Sequence, residues 1–274
     1  MASMFVSAPD RLFADLAISD KVVLVGDTHA NGGFAADAVR AAHARGVSVA
    51  FQLGDFGFWP RDSRGRNFLG RVSAVLESRD MWLLFADGNH EDHEMLPHFE
   101  AAAPVELAEF PRIVWVPRGV TVTLGADVAA ETTVMFFGGA VSVDQHHRTP
   151  GYDWFPTEVA SRAHWERAFA HPSGSVDVVV AHDVPFGVDL RLDPIWPEKF
   201  LTQADAHRRA ITELCDHLSP RRWFAGHYHQ RASGVRRRTA LDVFPHDTIR
   251  IEDACAIFDL RRDSLTPLSP PPRV

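Results

Sequence analysis

Short apolar runs in this chain end repeatedly on a carboxylate, amide or imidazole, most of them through a glycine. Lys21–Gly26 leads into Asp27 and His29, and Val47–Leu53 leads through Gly54 into Asp55. Met81–Ala86 precedes Gly88 and Asn89, Val176–Ala181 precedes His182, and Arg222–Ala225 precedes Gly226, His227 and His229. Continuous runs rich in Val, Leu and Phe are typical of strands covered on both faces. Residues just past the carboxyl ends of such strands meet in the crevice where layered α/β folds bind ligands. Five separate runs therefore deliver the same kind of donor to one edge.

The rest of the chain agrees with an α/β class. A sixth apolar run spans Thr132–Gly138, and stretches with helical character lie at Gly33–Arg45, Arg66–Arg79, Glu91–Ala102, Thr157–Ala170 and Gln203–Leu218. Strand and helix thus alternate through most of the sequence. Val120–Leu124, Thr132–Phe137 and Ile249–Leu260 alternate in polarity and are expected to form antiparallel pairs in a second sheet. A chain of 274 residues, 46% apolar, suits one large domain, here residues 1–263. The proline-rich tail 264–274 is expected to be frayed or extended.

A net charge of −8 argues against broad coating of nucleic acid, which needs clustered cations to displace counterions. It leaves room for a nuclease, because bound metals can supply local positive charge. Cys215 and Cys255 are far apart and form no Cys-x-x-Cys pair, so a reducing compartment is expected. The first residues lack a basic start and an apolar core of signal-peptide length, and no segment is long and apolar enough to span a bilayer. A cytoplasmic protein without membrane partners is the expectation.

The donors themselves narrow the chemistry. Asp, His and Asn suit divalent first-row metals, and seven such side chains are too many for one tetrahedral ion. A two-metal site follows, and such sites commonly hydrolyse phosphate esters. In an extended segment Asp27 and His29 project to the same side and can grip one ion. His227 and His229 share that spacing, which a tight loop can aim at different ions. Asp55 has two oxygens and no chelating neighbour, which makes it the candidate bridge.

The ordered set GDTH at 26–29, GD at 54–55, GNHE at 88–91, AHDVP at 181–185 and GHYH at 226–229 resembles the calcineurin-like metallophosphoesterase superfamily. The resemblance covers roughly residues 20 to 230. It implies a four-layer α/β fold, a β-sandwich of two mixed sheets flanked by helices, with the metal site at the carboxyl ends of strands. It places one metal on Asp27, His29, Asp55 and His229, and a second on Asp55, Asn89, His182 and His227. His90 becomes the acid or transition-state stabiliser, and a hydroxide shared by the two cations becomes the nucleophile. Manganese is the first expectation for the pair, and Fe, Zn, Ni or Co suit the same donors. The implied substrates are phosphate mono- or diesters, whether phosphorylated small molecules or nucleotides.

Departures from the family pattern matter too. Many members read Gly-Asp-x-x-Asp at the second motif, where the last Asp helps to orient the catalytic histidine. Phe58 stands in that place here, with Glu91 or Asp92 as candidate substitutes. The protein Ser/Thr phosphatase branch has Arg where this chain has Trp59 and Asp87, so the broader phosphodiesterase and phosphomonoesterase branches fit better. The loop 138–156 carries Arg148, a candidate for binding substrate phosphate or, equally, for a structural ion pair. Phe58 and Trp59 are candidate stacking faces or core anchors. His93 and His98 are expected to face solvent, and His43, His164, His171, His207, His217 and His246 have no motif context. The run Arg236–Arg238 reads first as a solvated hairpin face. Two other functions stay open at this point: a nuclease of the same superfamily, and a non-catalytic phosphate-ligand sensor or scaffold prompted by Phe58.

Overall fold

The computed structural model describes residues 3–99, 101–127, 131–191 and 196–270. Its strands are β1 (Phe5–Ser7), β2 (Lys21–Val25), β3 (Val49–Gln52), β4 (Trp82–Phe85), β5 (Val105–Leu107), β6 (Ile113–Trp115), β7 (Val120–Leu124), β8 (Thr132–Phe137), β9 (Val178–Ala181), β10 (Arg222–Ala225), β11 (Ala232–Arg236), β12 (Thr239–Val243), β13 (Cys255–Asp259) and β14 (Ser264–Pro267). Its α-helices are α1 (Asp10–Ile18), α2 (Gly32–His43), α3 (Ser63–Ser78), α4 (Arg162–Phe169), α5 (Glu198–Leu218) and the short α6 (Ile251–Ala254).

Eight strands form one sheet in the order β1-β5-β6-β4-β3-β2-β13-β14, and six form another in the order β11-β12-β10-β9-β8-β7. Both are mixed. β2, β3, β4 and β6 run parallel, as do β8, β9, β10 and β12, while the outer strands pair antiparallel.

The apolar runs are continuous because each strand feeds two cores. Val22, Leu24, Phe51, Leu84, Phe136, Val180 and Phe224 point between the sheets, where Phe51 meets Phe136 edge-on at 5.1 Å. Their neighbours Val23, Val25, Ala50, Leu83 and Phe85 face outward against α2 and α3. On the other side Met135, Phe137, Val179 and Trp223 are covered by α4 and α5. Each fully buried aliphatic or aromatic side chain contributes about 1.5–3 kcal/mol. The result is the expected four-layer sandwich.

Three expectations need correction. Of Glu91–Ala102, the described residues 91–99 form turns and no helix, and residue 100 lies outside the described residues. Pro97 interrupts the stretch, and the Glu91 carboxylate is engaged with the backbone N–H groups of Phe56, Gly57 and Phe58. Ile249–Leu260 divides into α6 and β13, and β13 joins the first sheet beside β2, where Phe258 fills the inner core. Only β7 and β8 make the anticipated antiparallel pair in the second sheet. Ser264–Pro267, placed in the tail on sequence, is the edge strand β14, and Leu268 is buried just beyond it. Residues 271–274 of that tail lie outside the described residues. Among the described residues, no helix is long and apolar enough to cross a membrane.

Candidate metal centre

The parallel strands of both sheets end at the same rim. Asp27 follows β2, Asp55 follows β3, Asn89 follows β4, His182 follows β9, and His227 and His229 follow β10. The turns that carry them are tight. His29, Asp55, His227 and His229 have φ of 42°, 50°, 69° and 52°, a left-handed conformation that costs of order 1–3 kcal/mol per non-glycine residue. Gly54 is required for the same reason and for space: at φ 95°, a Cβ there would lie 2.2 Å from His182 Nδ1.

All seven sequence-derived donors meet. Ligating atoms of Asp27, His29, Asp55 and His229 lie within 4.8 Å of one another. His229 Nε2 is 3.4 Å from Asp27 Oδ2, and His29 Nε2 is 3.4 Å from Asp55 Oδ2. The other Asp55 oxygen, Oδ1, is 3.4 Å from His182 Nε2, which is also 3.0 Å from Asn89 Oδ1. The His227 ring stands 5.0 Å from that of His182, and its backbone N–H donates to Asp27. Asp55 therefore faces one set of donors with each oxygen.

Without a cation the charges balance only through protons on the imidazoles. Burial raises Asp27 to about 7, even though His182 opposes that rise. Burial would lower His29 and His182, but the neighbouring carboxylates, Asp55 foremost, hold them at about 9 and about 10. His227 and His229 are pushed by burial to about 3 and about 4, which leaves them neutral, the form that binds metal. Two buried carboxylates thus take their compensating charge from protonated imidazoles. That donor set fits divalent cations, whose charge would take the place of those protons.

His90 is tethered rather than free. Its backbone N–H donates to Asp55 Oδ1 at 2.8 Å, and its carbonyl accepts from Trp59 Nε1 at 2.9 Å. Its ring touches the Arg148 guanidinium, which also donates to Asp144 at 2.8 Å and to the Asp153 carbonyl at 3.1 Å. Burial lowers the His90 pKa, and Arg148 lowers it further against the pull of Asp55. Phe58 packs in the core against Phe5 and Phe85, so Trp59, not Phe58, borders the site. Neither candidate substitute orients the ring: Glu91 braces the Phe56–Phe58 turn, and Asp92 pairs with Arg61.

Several participants were missed on sequence. Asp247 Oδ1 stands 3.7 Å from His29 Nδ1, its Oδ2 accepts from Asn31 Nδ2 at 2.7 Å, and the His246 ring lies 4.4 Å from that of His229. Both follow the apolar end of β12, the same signal that marked the other donors. Ser142 accepts from Asn89 Nδ2 at 2.9 Å and is held by Glu158 through its hydroxyl and its backbone N–H. Asp183 accepts from Tyr228 Oη at 2.6 Å and pairs with His207, which steadies the two loops that carry His182 and His227. His93 and His98, expected at the surface, are buried beside Asp87 and Arg118. The basic run is a hairpin face: Arg236 and Arg237 pair with Asp216.

No protein-family model matches the chain, and no curated protein sequence matches it. Solved structures do match. A dimetal phosphatase from Danio rerio superposes with a TM-score of 0.50 at 14% identity, covering 86% of this chain and 91% of that one. TT1561 of Thermus thermophilus gives 0.53 at 11% identity, covering 90% and 96%. GAP50, described as the anchor in the inner membrane complex of Plasmodium, gives 0.51 at 8% identity, covering 93% and 90%. The architecture is the calcineurin-like fold that these structures share.

Proposed function

We propose that this chain is a binuclear metal-dependent phosphoesterase that hydrolyses phosphate mono- or diesters. The carrying observation is Asp55, with one oxygen 3.4 Å from His29 and the other 3.4 Å from His182. That is the placement a bridging carboxylate needs. Asp27, His29, Asp55 and His229 would hold one divalent ion, and Asp55, Asn89, His182 and His227 the other. Manganese comes first among candidates, with Fe, Zn, Ni or Co compatible. Such a pair, when bound, lowers the pKa of a water and offsets charge on the phosphoryl oxygens.

The chain's own groups supply the rest. Arg148 presents its guanidinium beside His90, where a remaining N–H can donate to a phosphoryl oxygen. His90, kept neutral by burial and by that cation, donates one N–H to the phosphoryl group or to the departing oxygen. In the net reaction water gives its oxygen to phosphorus as one P–O ester bond breaks, and a proton passes to the leaving alcohol. The substrate is a phosphorylated small molecule or nucleotide. Buried, unpaired Cys215 and Cys255 suit a reducing cytoplasmic setting.

The test is turnover of p-nitrophenyl phosphate and its bis-ester with Mn²⁺, before and after Asp55→Asn and His90→Asn. Unchanged rates in the Asp55 variant would sink the mechanism. A second reading, a non-catalytic phosphate-ligand scaffold, draws on Phe58 standing where the family pattern has an Asp and on the description of GAP50 as an anchor. It requires metal and phosphate binding with no turnover, and single-turnover hydrolysis lost in His90→Asn would remove it.

A further inference from the structure

The cleft around His90 has two unlike halves. On one side a cavity of about 470 Å³ opens from Asp55, Asn89 and His227. Its apolar walls are Val143, Trp196, Leu201, Ala204 and Tyr228, and the exposed Arg191 also lines it. The Tyr228 hydroxyl is turned away onto Asp183, so the ring is what the cavity meets. Arg208, the buried cation of this wall, is turned onto the carbonyls of Val184 and Pro185 and lies over the Phe186 ring. His146 of the 138–156 loop stacks on Phe200 at 5.6 Å and meets Trp196 edge-on at 6.2 Å, which draws the loop toward the start of α5 over this half. Asp205 and Gln230 lie among the lining residues and offer hydroxyl or amine partners.

On the other side lies a wider, more open cleft of about 830 Å³. Trp59 and Tyr152 line it together with Arg61, Arg64 and Arg148, set against Asp62, Asp92 and Asp153. Mixed charges in an open cleft favour a hydrated group. His90 and Asp144 border both halves. A phosphorus atom held beside His90 therefore has room for a substituent in each direction, and a monoester would use only one of them.

We infer that the ligand is a phosphodiester with unlike arms. An uncharged aromatic or otherwise apolar arm enters the narrower cavity, and a larger hydrated arm lies on the open side. This rests on the phosphoesterase reading for its chemistry. Water adds to phosphorus, the bond to one arm breaks, and the products are an alcohol and a monoester.

Calorimetry on Mn²⁺-loaded protein should find methyl phenyl phosphate binding at least about tenfold tighter than dimethyl phosphate, since both carry one charge and differ by one buried ring. Ala204→Trp, which fills the cavity from a half-buried position, and Leu201→Asp, which charges it, should each erase that difference. Metal content measured on the same samples separates the cavity from the centre. In turnover, the bis-p-nitrophenyl ester should exceed the monoester in kcat/KM, and both variants should lower that ratio. Equal affinity for the two diesters, or variants that bind methyl phenyl phosphate as the parent does, overturns the inference. Ring-dependent binding without turnover of any ester instead supports the ligand class and overturns hydrolysis. Turnover of both esters at equal kcat/KM, unaffected by either variant, leaves hydrolysis standing and removes the ligand class.

Discussion

Around Asp87 the buried charges cancel against an arginine, and in the neighbouring candidate metal centre they cancel only through protonated imidazoles. Asp87 and Arg118 are both fully inaccessible and pair directly, with Trp115 Nε1 adding a bond at 3.1 Å. Burial opposes ionisation of Asp87, but Arg118 overcomes it and holds the carboxyl well below its usual range. His93 and His98 beside them are pushed down by burial, His93 to about 3, and so stay neutral. Asp87, His93 and His98 also lie within 4.8 Å of one another. A cation there would sit against Arg118 with one carboxylate to share, so this trio is a structural plug. The candidate metal centre has two carboxylates and no arginine paired with them, only imidazoles that must protonate to compensate. Similar residue types make a closed ion pair on one side and a cation socket on the other, and the presence of Arg118 decides which.

The contrast can be broken most sharply at Asp55. Asp55→Asn should lower turnover by more than about 10²-fold and reduce bound metal, since in the proposed mechanism one residue serves both sites. Metal analysis and steady-state kinetics on the same samples check this. Arg118→Met should act mainly on the other region. An unpaired buried carboxylate costs about 3–5 kcal/mol, or roughly 10 °C in melting temperature for a chain of this size. Combining it with Asp87→Asn should recover much of that loss, because no charge is then left unpaired. Thermal melts with and without a chelator check it: the chelator should shift the parent and the Arg118 variant alike. A chelator effect that vanishes with Arg118 would merge the two regions into one.

How far the sequence carried follows the same division. The centre was legible because its donors sit at strand ends, and strand ends are marked by apolar runs that stop at glycine. Strands covered on both faces gave the sandwich for the same reason, each run alternating between the cores. The plug was illegible because its pieces lie far apart in sequence: Arg118 precedes β7, and His93 and His98 fall in a stretch whose spacing imitates a helix. Asp247 was missed although β12 ends as the other runs do, since no glycine or paired donor drew attention to it. Its effect is smaller but measurable. Asp247→Ala should weaken metal binding by about 10-fold, because a carboxylate beside Nδ1 fixes the ring orientation of His29. Competition with a metal-responsive dye checks it, and unchanged affinity would leave His29 oriented by its turn alone.

The smallest effect falls where the two regions join. Arg118 donates to the Glu158 carbonyl at 2.9 Å, the Glu158 carboxylate holds Ser142, and Ser142 accepts the Asn89 amide hydrogen that leaves Oδ1 turned toward His182. A chain of bonds thus runs from the plug to one donor. Ser142→Ala removes both hydroxyl bonds, from Asn89 and to Glu158; the one that orients Asn89 is worth about 1 kcal/mol or roughly fivefold in affinity, and its loss should weaken one of the two proposed metals selectively. Ser142→Thr keeps the hydroxyl and should restore affinity, and Glu158→Gln, with one acceptor oxygen for two Ser142 donors, should fall between Ser142→Ala and the parent. Titration by calorimetry resolves the two binding events. If Ser142→Ala weakens both equally, or threonine fails to rescue while the melting temperature holds, the link is packing alone and the amide is oriented by His182.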